Sequence, residues 1–223
     1  KEIGGTCIEV AHDGKRIVLD LGRPLSAEPG EDVPLPPLPG LDTGLDPTLL
    51  GLIVSHPHQA HYGLISKMAP ALPVYIGEAA PRILSESAFF LRDVPHIAPA
   101  GFLVHRQSFT LGPFTLTPYL NDHSAFDTYS LLVEAGGKRL FYSADLRAHG
   151  RKARLFEELL AEPPPSIDTL MLEGTNISTE KLAALDPSPG CASETDVEMT
   201  CAKTFKDTSG MVFSRPTLRY FSP

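Results

Sequence analysis

The chain has no tryptophan and only three cysteines, Cys7, Cys191 and Cys201. An odd number of widely spaced cysteines offers neither a disulfide framework nor a Cys-x-x-Cys metal site. The cytoplasm is therefore the expected compartment, and any metal chemistry falls to the histidines and the acids. No apolar run approaches the roughly 18 residues that a spanning helix needs, so no membrane partner is expected. The first residues lack the apolar stretch of a signal peptide. The chain begins with Lys1 rather than Met and is read as a processed or cloned piece. Basic residues are the minority, 19 against 27 acids, giving a net charge of −8. This excludes nucleic-acid binding through bulk positive charge and leaves only local basic patches for that purpose. A glycine-rich phosphate loop, a Gly-x-Ser-x-Gly elbow and a zinc-ribbon spacing are also missing.

What remains is an ordinary globular composition, 42% hydrophobic and 21% charged over 223 residues, enough for one sizeable core. Residues 6–10 and 16–21 read as strands around Asp13-Gly14, a hairpin signal. Residues 23–47 carry seven prolines and predict a long extended loop of the functional or mobile kind. Asp46-Pro47 reads as a helix start. Further strands are expected at 52–54, 73–76, 102–105, 108–111, 114–119, 129–134, 139–142, 167–172 and 211–213. Helices are expected at 60–68, 78–92, 151–161 and 194–206. Hairpins followed by alternating strands and helices predict a layered α/β fold with helices outside.

The chemistry concentrates after the apolar strand Leu52-Ile53-Val54, in Ser55-His56-Pro57-His58-Gln59-Ala60-His61-Tyr62-Gly63. In extended backbone His56 and His58 point the same way, and His61 at the start of a helix can turn back toward them. Neutral imidazoles at this spacing suit zinc or another borderline divalent metal. His123 and Asp145 stand just past the ends of predicted strands and Asp20 lies at the end of another, which points to one shared sheet edge. Asp122 and Asp145 have the alternative role of turn caps.

The segment 55–63 resembles the His-x-His-x-Asp-His signature of metallo-β-lactamase-fold hydrolases. Asp20, His123 and Asp145 match that family's first, third and fourth motifs in order, and the resemblance covers about residues 3–176. It implies an αββα sandwich with metals at one edge of the paired sheets. Glu173 and residues 194–213 resemble the β-CASP branch, which includes the J-type ribonucleases. The chain then divides into a metallo-β-lactamase-like domain, 1–176, and a partial β-CASP-like segment, 177–223. The implied activity is zinc-dependent hydrolysis of a phosphodiester in RNA or single-stranded nucleic acid. A small ester, thioester or lactone substrate, or a weakly active metal-binding module, remains open, as does a homodimer. The implied metal ligands are His56, His58, His61, His123 and Asp145. Asp20, His61 and Asp145 are the implied catalytic groups, with Asp20 orienting a ligand histidine.

Three departures matter. The signature's Asp is Ala60 here, and a methyl group coordinates nothing. No histidine follows His149, so the late ligand of the β-CASP branch is missing and the chain is read as cut short near residue 213. Ala144 stands where the family usually has glycine. One Zn2+ on His56, His58 and His123 is therefore expected, with a weak second site left to His61 and Asp145. His149, Arg147 and Arg151 read as a solvated basic loop rather than a phosphate contact. His12, His96 and His105 read as structural, Phe89-Phe90 as core, and the three cysteines as small apolar residues. Asn176-Ile177-Ser178 fits a glycosylation sequon.

Overall fold

The computed structural model describes residues 4–28, 30–90, 94–174 and 192–213. Two five-stranded sheets form the body. The first runs in spatial order β1 (Ile8–His12), β2 (Lys15–Leu19), β3 (Leu49–Ile53), β4 (Val74–Gly77), β5 (Gly101–Leu103). β1 and β2 are antiparallel and the remaining neighbours are parallel. The second contains β6 (Phe109–Leu111), β7 (Phe114–Leu120), β8 (Tyr129–Ala135), β9 (Lys138–Tyr142) and β10 (Thr169–Met171), in the order β10-β9-β8-β7-β6. It is antiparallel except for the β9–β10 pair. The hairpin turn between β1 and β2 places Asp13 and Gly14 at φ 47° and 65°. Positive φ at both central residues is what a two-residue turn between twisted strands requires.

Side-chain alternation builds two apolar layers. Ile17 and Leu19 on β2 and Ile53 on β3 pack between the sheets against Phe114, Leu116, Leu131 and Val133. Val18, Leu52 and Val54 point the other way, against Tyr62, Leu64, Met68, Ala80 and Leu84. Those partners come from α1 (Gln59–Tyr62), the segment after it and α2 (Ala80–Ser87). The first sheet is thus covered on both faces, as its parallel strands demand. On the far side, α3 (Ala153–Ala161) is tied to the second sheet's border by Arg106–Glu162 at 2.6 Å and buries no residue completely. The result is the expected layered α/β sandwich. A last helix, α4 (Glu194–Asp207), has no buried residue.

Several local expectations are corrected. The helix expected at 60–68 breaks into α1 and a 3-10 turn at Ile65–Lys67. The Leu64 amide donates to the Leu21 carbonyl, 3.0 Å away, so the helical ladder cannot continue. Over the described residues the helix expected at 78–92 is α2, Ala80–Ser87, and Phe89 and Phe90 are 87% and 83% exposed rather than core. Their positions fall off the stripe set by Ala80 and Leu84, the buried pair at i,i+4 spacing. No helix starts at Asp46. Its Oδ1 accepts from the Thr48 amide and hydroxyl at 2.9 and 2.7 Å, and the chain passes straight into β3. Residues 211–213 form no strand. The proline-rich loop is irregular as expected, but cations hold it down. Arg16 donates to the Pro39 carbonyl, Asp46 and Thr48, Arg23 to the carbonyls of Glu28 and Glu31, and Lys67 to Asp32 and Val33. The sequon at Asn176, the segment 177–191 with the domain boundary, and residues 214–223 lie outside the described residues. Among the described residues no helix is long and apolar enough to cross a membrane.

Candidate metal centre

The C-terminal ends of β2, β3, β7 and β9 converge on one edge of the sandwich and deliver Asp20, His56, His58, His123 and Asp145 there. His58 Nδ1 lies 3.2 Å from His56 Nε2 and 3.2 Å from His123 Nε2. Asp145 Oδ2 is 3.8 Å from His56 Nε2 and 3.6 Å from His123 Nε2. One ligand atom from each of these four residues lies within 4.8 Å of the others. A tetrahedral zinc with ligands about 2.0–2.1 Å away sets neighbouring donors about 3.3–3.4 Å apart. The three imidazole nitrogens fit that spacing, and the carboxylate stands slightly farther out.

The protonation of the cluster fits a cation as well. Burial, reinforced by the neighbouring imidazoles, holds His56 well below its ordinary value. Burial also pushes His58 down to about 4, with His61 adding to it. His123 falls to about 3, again chiefly through burial and against the pull of Asp145. These three rings are neutral at physiological pH and present lone pairs. The Ser55 hydroxyl, fully buried, donates to Asp20 Oδ2 at 2.9 Å and accepts from His56 Nδ1 at 3.0 Å. That fixes the proton of His56 on Nδ1 and leaves Nε2 facing the cluster.

His61 behaves differently. Its Nδ1 donates to Asp20 Oδ2 at 2.8 Å, and its Nε2 lies 3.3 Å from Asp145 Oδ1. Burial would lower its pKa, but the two carboxylates outweigh burial and raise it to about 10. Burial raises the Asp145 carboxyl, and the His61 hydrogen bond overrides that to leave it lowered. Asp145 therefore turns one oxygen toward the three neutral histidines and the other toward His61. Gln59 and Ala60 precede His61, and Ala60 brings no donor atom to the His61 side.

Asp20 touches none of the three clustered nitrogens at hydrogen-bond distance among the described contacts. It is fully buried and collects four donors: the Ser55 amide at 2.7 Å, the Ser55 hydroxyl, His61 Nδ1, and the Tyr142 hydroxyl at 2.6 Å. Burial, followed by the adjacent Asp20, keeps the Tyr142 phenol far above its usual value, so it remains a donor. Neither Ser55 nor Tyr142 was singled out as a functional residue from the sequence. Ser55 had a signal, its place between a buried strand and His56. Tyr142 had none, because its partner is distant in sequence.

Asp122 is a fully buried acceptor that binds the loop before α3, taking the amide of Gly150 at 2.6 Å and lying 3.5 Å from Arg147 Nε. Glu173 accepts from the Leu146 amide at 2.8 Å and so braces the Asp145 turn from behind. His149 is exposed and His105 accepts from the Leu120 amide. Cys7 and Cys201 are free thiols, and burial, ahead of Asp20 and Glu9, raises Cys7 to about 11.

The sequence matches no known family and no curated protein. Solved structures do resemble it. A protein of unknown function from Enterococcus faecalis V583 aligns over 92% of this chain at 23% identity with a TM-score of 0.74. The chain spans 55% of the length of that protein. A metallo-β-lactamase from Cronobacter sakazakii aligns over 92% of this chain and 88% of its own, at 16% identity and a TM-score of 0.56. The metallo-β-lactamase MIM-1 from Novosphingobium pentaromativorans covers 92% and 86%, at 20% identity and a TM-score of 0.51. With its two mixed sheets and the histidine–aspartate cluster at their common edge, the chain has the metallo-β-lactamase fold.

Proposed function

We propose that the protein is a metal-dependent hydrolase that uses one firmly held cation, with phosphodiesters as its substrate class. The observation that carries the reading is the convergence of His56 Nε2, His58 Nδ1 and His123 Nε2 with Asp145 within 4.8 Å. A zinc held there by these residues would supply Lewis acidity and would lower the pKa of water toward neutrality. The chain's own residues supply the rest. Ser55, itself held by Asp20, keeps His56 in the tautomer whose Nε2 faces the cluster. Asp145 joins the three-histidine group to His61 through its two oxygens. His61 bridges Asp20 and Asp145 through its two ring nitrogens and so holds both carboxylates in place.

The same arrangement supports a weak second site. Among the described residues a second cation there has His61 Nε2 and Asp145 Oδ1 to bind, and it must first displace the His61 proton. After exhaustive dialysis of zinc-loaded protein, elemental analysis should find about one ion per chain, fewer than the two of a binuclear site. Two tightly retained ions would refute this reading. Ala60→Asp should raise retention toward two. A phosphodiester, lactone and thioester panel run on the zinc-loaded protein should show turnover chiefly of the first, abolished by His58→Ala. The β-CASP branch and nucleic acid as the natural substrate belong to this proposal. They draw on Glu173 and on the resemblance of residues 194–213, and recovery of a longer reading frame with a late histidine would test them.

A further inference from the structure

The loop between β9 and α3 carries three cations in six residues, Arg147, Arg151 and Lys152, and reaches the cluster through the Arg147 contact with His123. The Arg147 guanidinium donates to the carbonyl of His123 at 3.3 Å, and its amide donates to the Asp122 carbonyl at 2.8 Å. Lys152 is spent on the Ala125 and Phe126 carbonyls. The two arginines are engaged by α4. Glu194 Oε1 lies 2.7 Å from Arg147 Nη2, while its Oε2 accepts from the Arg151 amide at 3.0 Å. Glu198 pairs with the Arg151 guanidinium. A single carboxylate thus spans a guanidinium and a backbone N–H, which is how a bidentate oxyanion is held.

Among the described residues little else attaches α4 to the body. The Glu194 amide donates to the His149 carbonyl at 2.9 Å, and every residue from 195 to 211 is exposed. The capping box of Ser193 and Asp196 is internal to the helix. Among the described residues no apolar burial offsets the cost of separating helix from loop, so the contact rests on two backbone hydrogen bonds and partly exposed ion pairs, which are weak in water. Removing the two carboxylates makes this corner of the site more positive by two charges.

We propose that Arg147 and the Arg151 amide and guanidinium form a cradle for a phosphate group of the substrate, and that Glu194 and Glu198 fill it as internal stand-ins until α4 swings away. The identity of the anion as substrate phosphate rests on the phosphodiester reading above; the cradle and its occupation by α4 do not. The loop thus takes up the role set aside in the sequence, where its cations read as merely solvated.

The test is calorimetric binding of inorganic pyrophosphate to the full chain after chelator treatment, so that neither a cation nor turnover contributes. If the cradle is open in only about a tenth of molecules, Glu194→Gln combined with Glu198→Gln should tighten binding about tenfold. Adding Arg147→Met should cancel the gain. Arg151→Met, at an exposed position that touches no buried group, should cancel part of it and guards against an Arg147 variant that fails to fold. An unchanged affinity in the double glutamine variant would overturn the proposal, as would a gain that survives both arginine substitutions. Loss of hydrolysis with this pattern intact would instead count against the phosphodiester reading alone.

Discussion

Asp20 shows how much one buried carboxylate can organise. Its Oδ2 lies 2.6 Å from the Tyr142 hydroxyl, 2.8 Å from His61 Nδ1 and 2.9 Å from the Ser55 hydroxyl, joining three strands and a helix at a single atom. Its φ of 61° is the left-handed conformation that turns the carboxylate back under the site. Tyr142→Phe deletes one donor to a charged acceptor with little change in shape, and should cost about 1.5–3 kcal/mol. Urea denaturation measures this; a loss within about 0.5 kcal/mol, the scatter of neutral surface changes, would show that Asp20 does not depend on the phenol. Ala144 also sits in left-handed backbone, at φ 48°, with 1% exposure. A side chain is strained there, which accounts for the glycine preference of the family it resembles.

The placement of His61 is a matter of backbone docking between elements. After β2 the chain passes against α1, with Leu21 N donating to the His61 carbonyl and Arg23 N to the Gln59 carbonyl, each at 2.8 Å. Between them lies Gly22, where a Cβ would meet the Ala60 carbonyl oxygen at 1.6 Å. No rotamer relieves a contact with backbone, so any larger residue must separate the two segments. Gly22→Ala should destabilise the protein by about 3 kcal/mol or more, the upper part of the range for overpacking. The same substitution should drive His61 off Asp20. A variant with an unchanged melting temperature would mean that the two segments part freely, contrary to the close fit.

For the molecule as a whole, the buried histidines set the pH dependence of the metal-free state. His58 at about 4 and His123 at about 3, with His56 also depressed, take up protons more readily in the unfolded chain, where the value is about 6.5. Their contribution is complete above about pH 6.5 and is lost as the pH falls toward about 4. His61 has the opposite sign. Raised to about 10, it stabilises the fold fully below about pH 6.5, and that contribution drains away as the pH rises through about 10. The urea midpoint of chelator-treated protein should therefore peak near pH 6.5 and fall on both sides. A midpoint that climbs steadily from pH 6.5 to 9 would contradict the carboxylate pairing of His61. Replacing His61 with Gln should remove the fall between about pH 6.5 and 8.5 and leave the acid limb; above that range the raised Cys7 and Tyr142 still lower the midpoint.

Sequence periodicity and turn chemistry were enough for the hairpin at Asp13-Gly14, the end of the strand before the histidines and the order of alternating elements, because those features depend on neighbours along the chain. The histidine spacing and the strand-end positions of Asp20, His123 and Asp145 likewise pointed to one edge. What pattern could not reach were contacts between segments far apart in sequence. The Leu21 carbonyl ends α1 early, and the Asp46 side chain closes a turn where a helix start was expected. Phe89 and Phe90 are apolar yet lie beyond the buried stripe of α2. Tyr142 reaches Asp20 across 122 residues, and Glu194 reaches Arg147 across a long stretch of chain. Local preference is a property of a few adjacent residues, whereas burial and hydrogen bonding are decided by whichever partners the folded chain brings near. Composition and spacing therefore specified which groups are available for chemistry, and tertiary packing alone assigned their protons, their partners and their free faces.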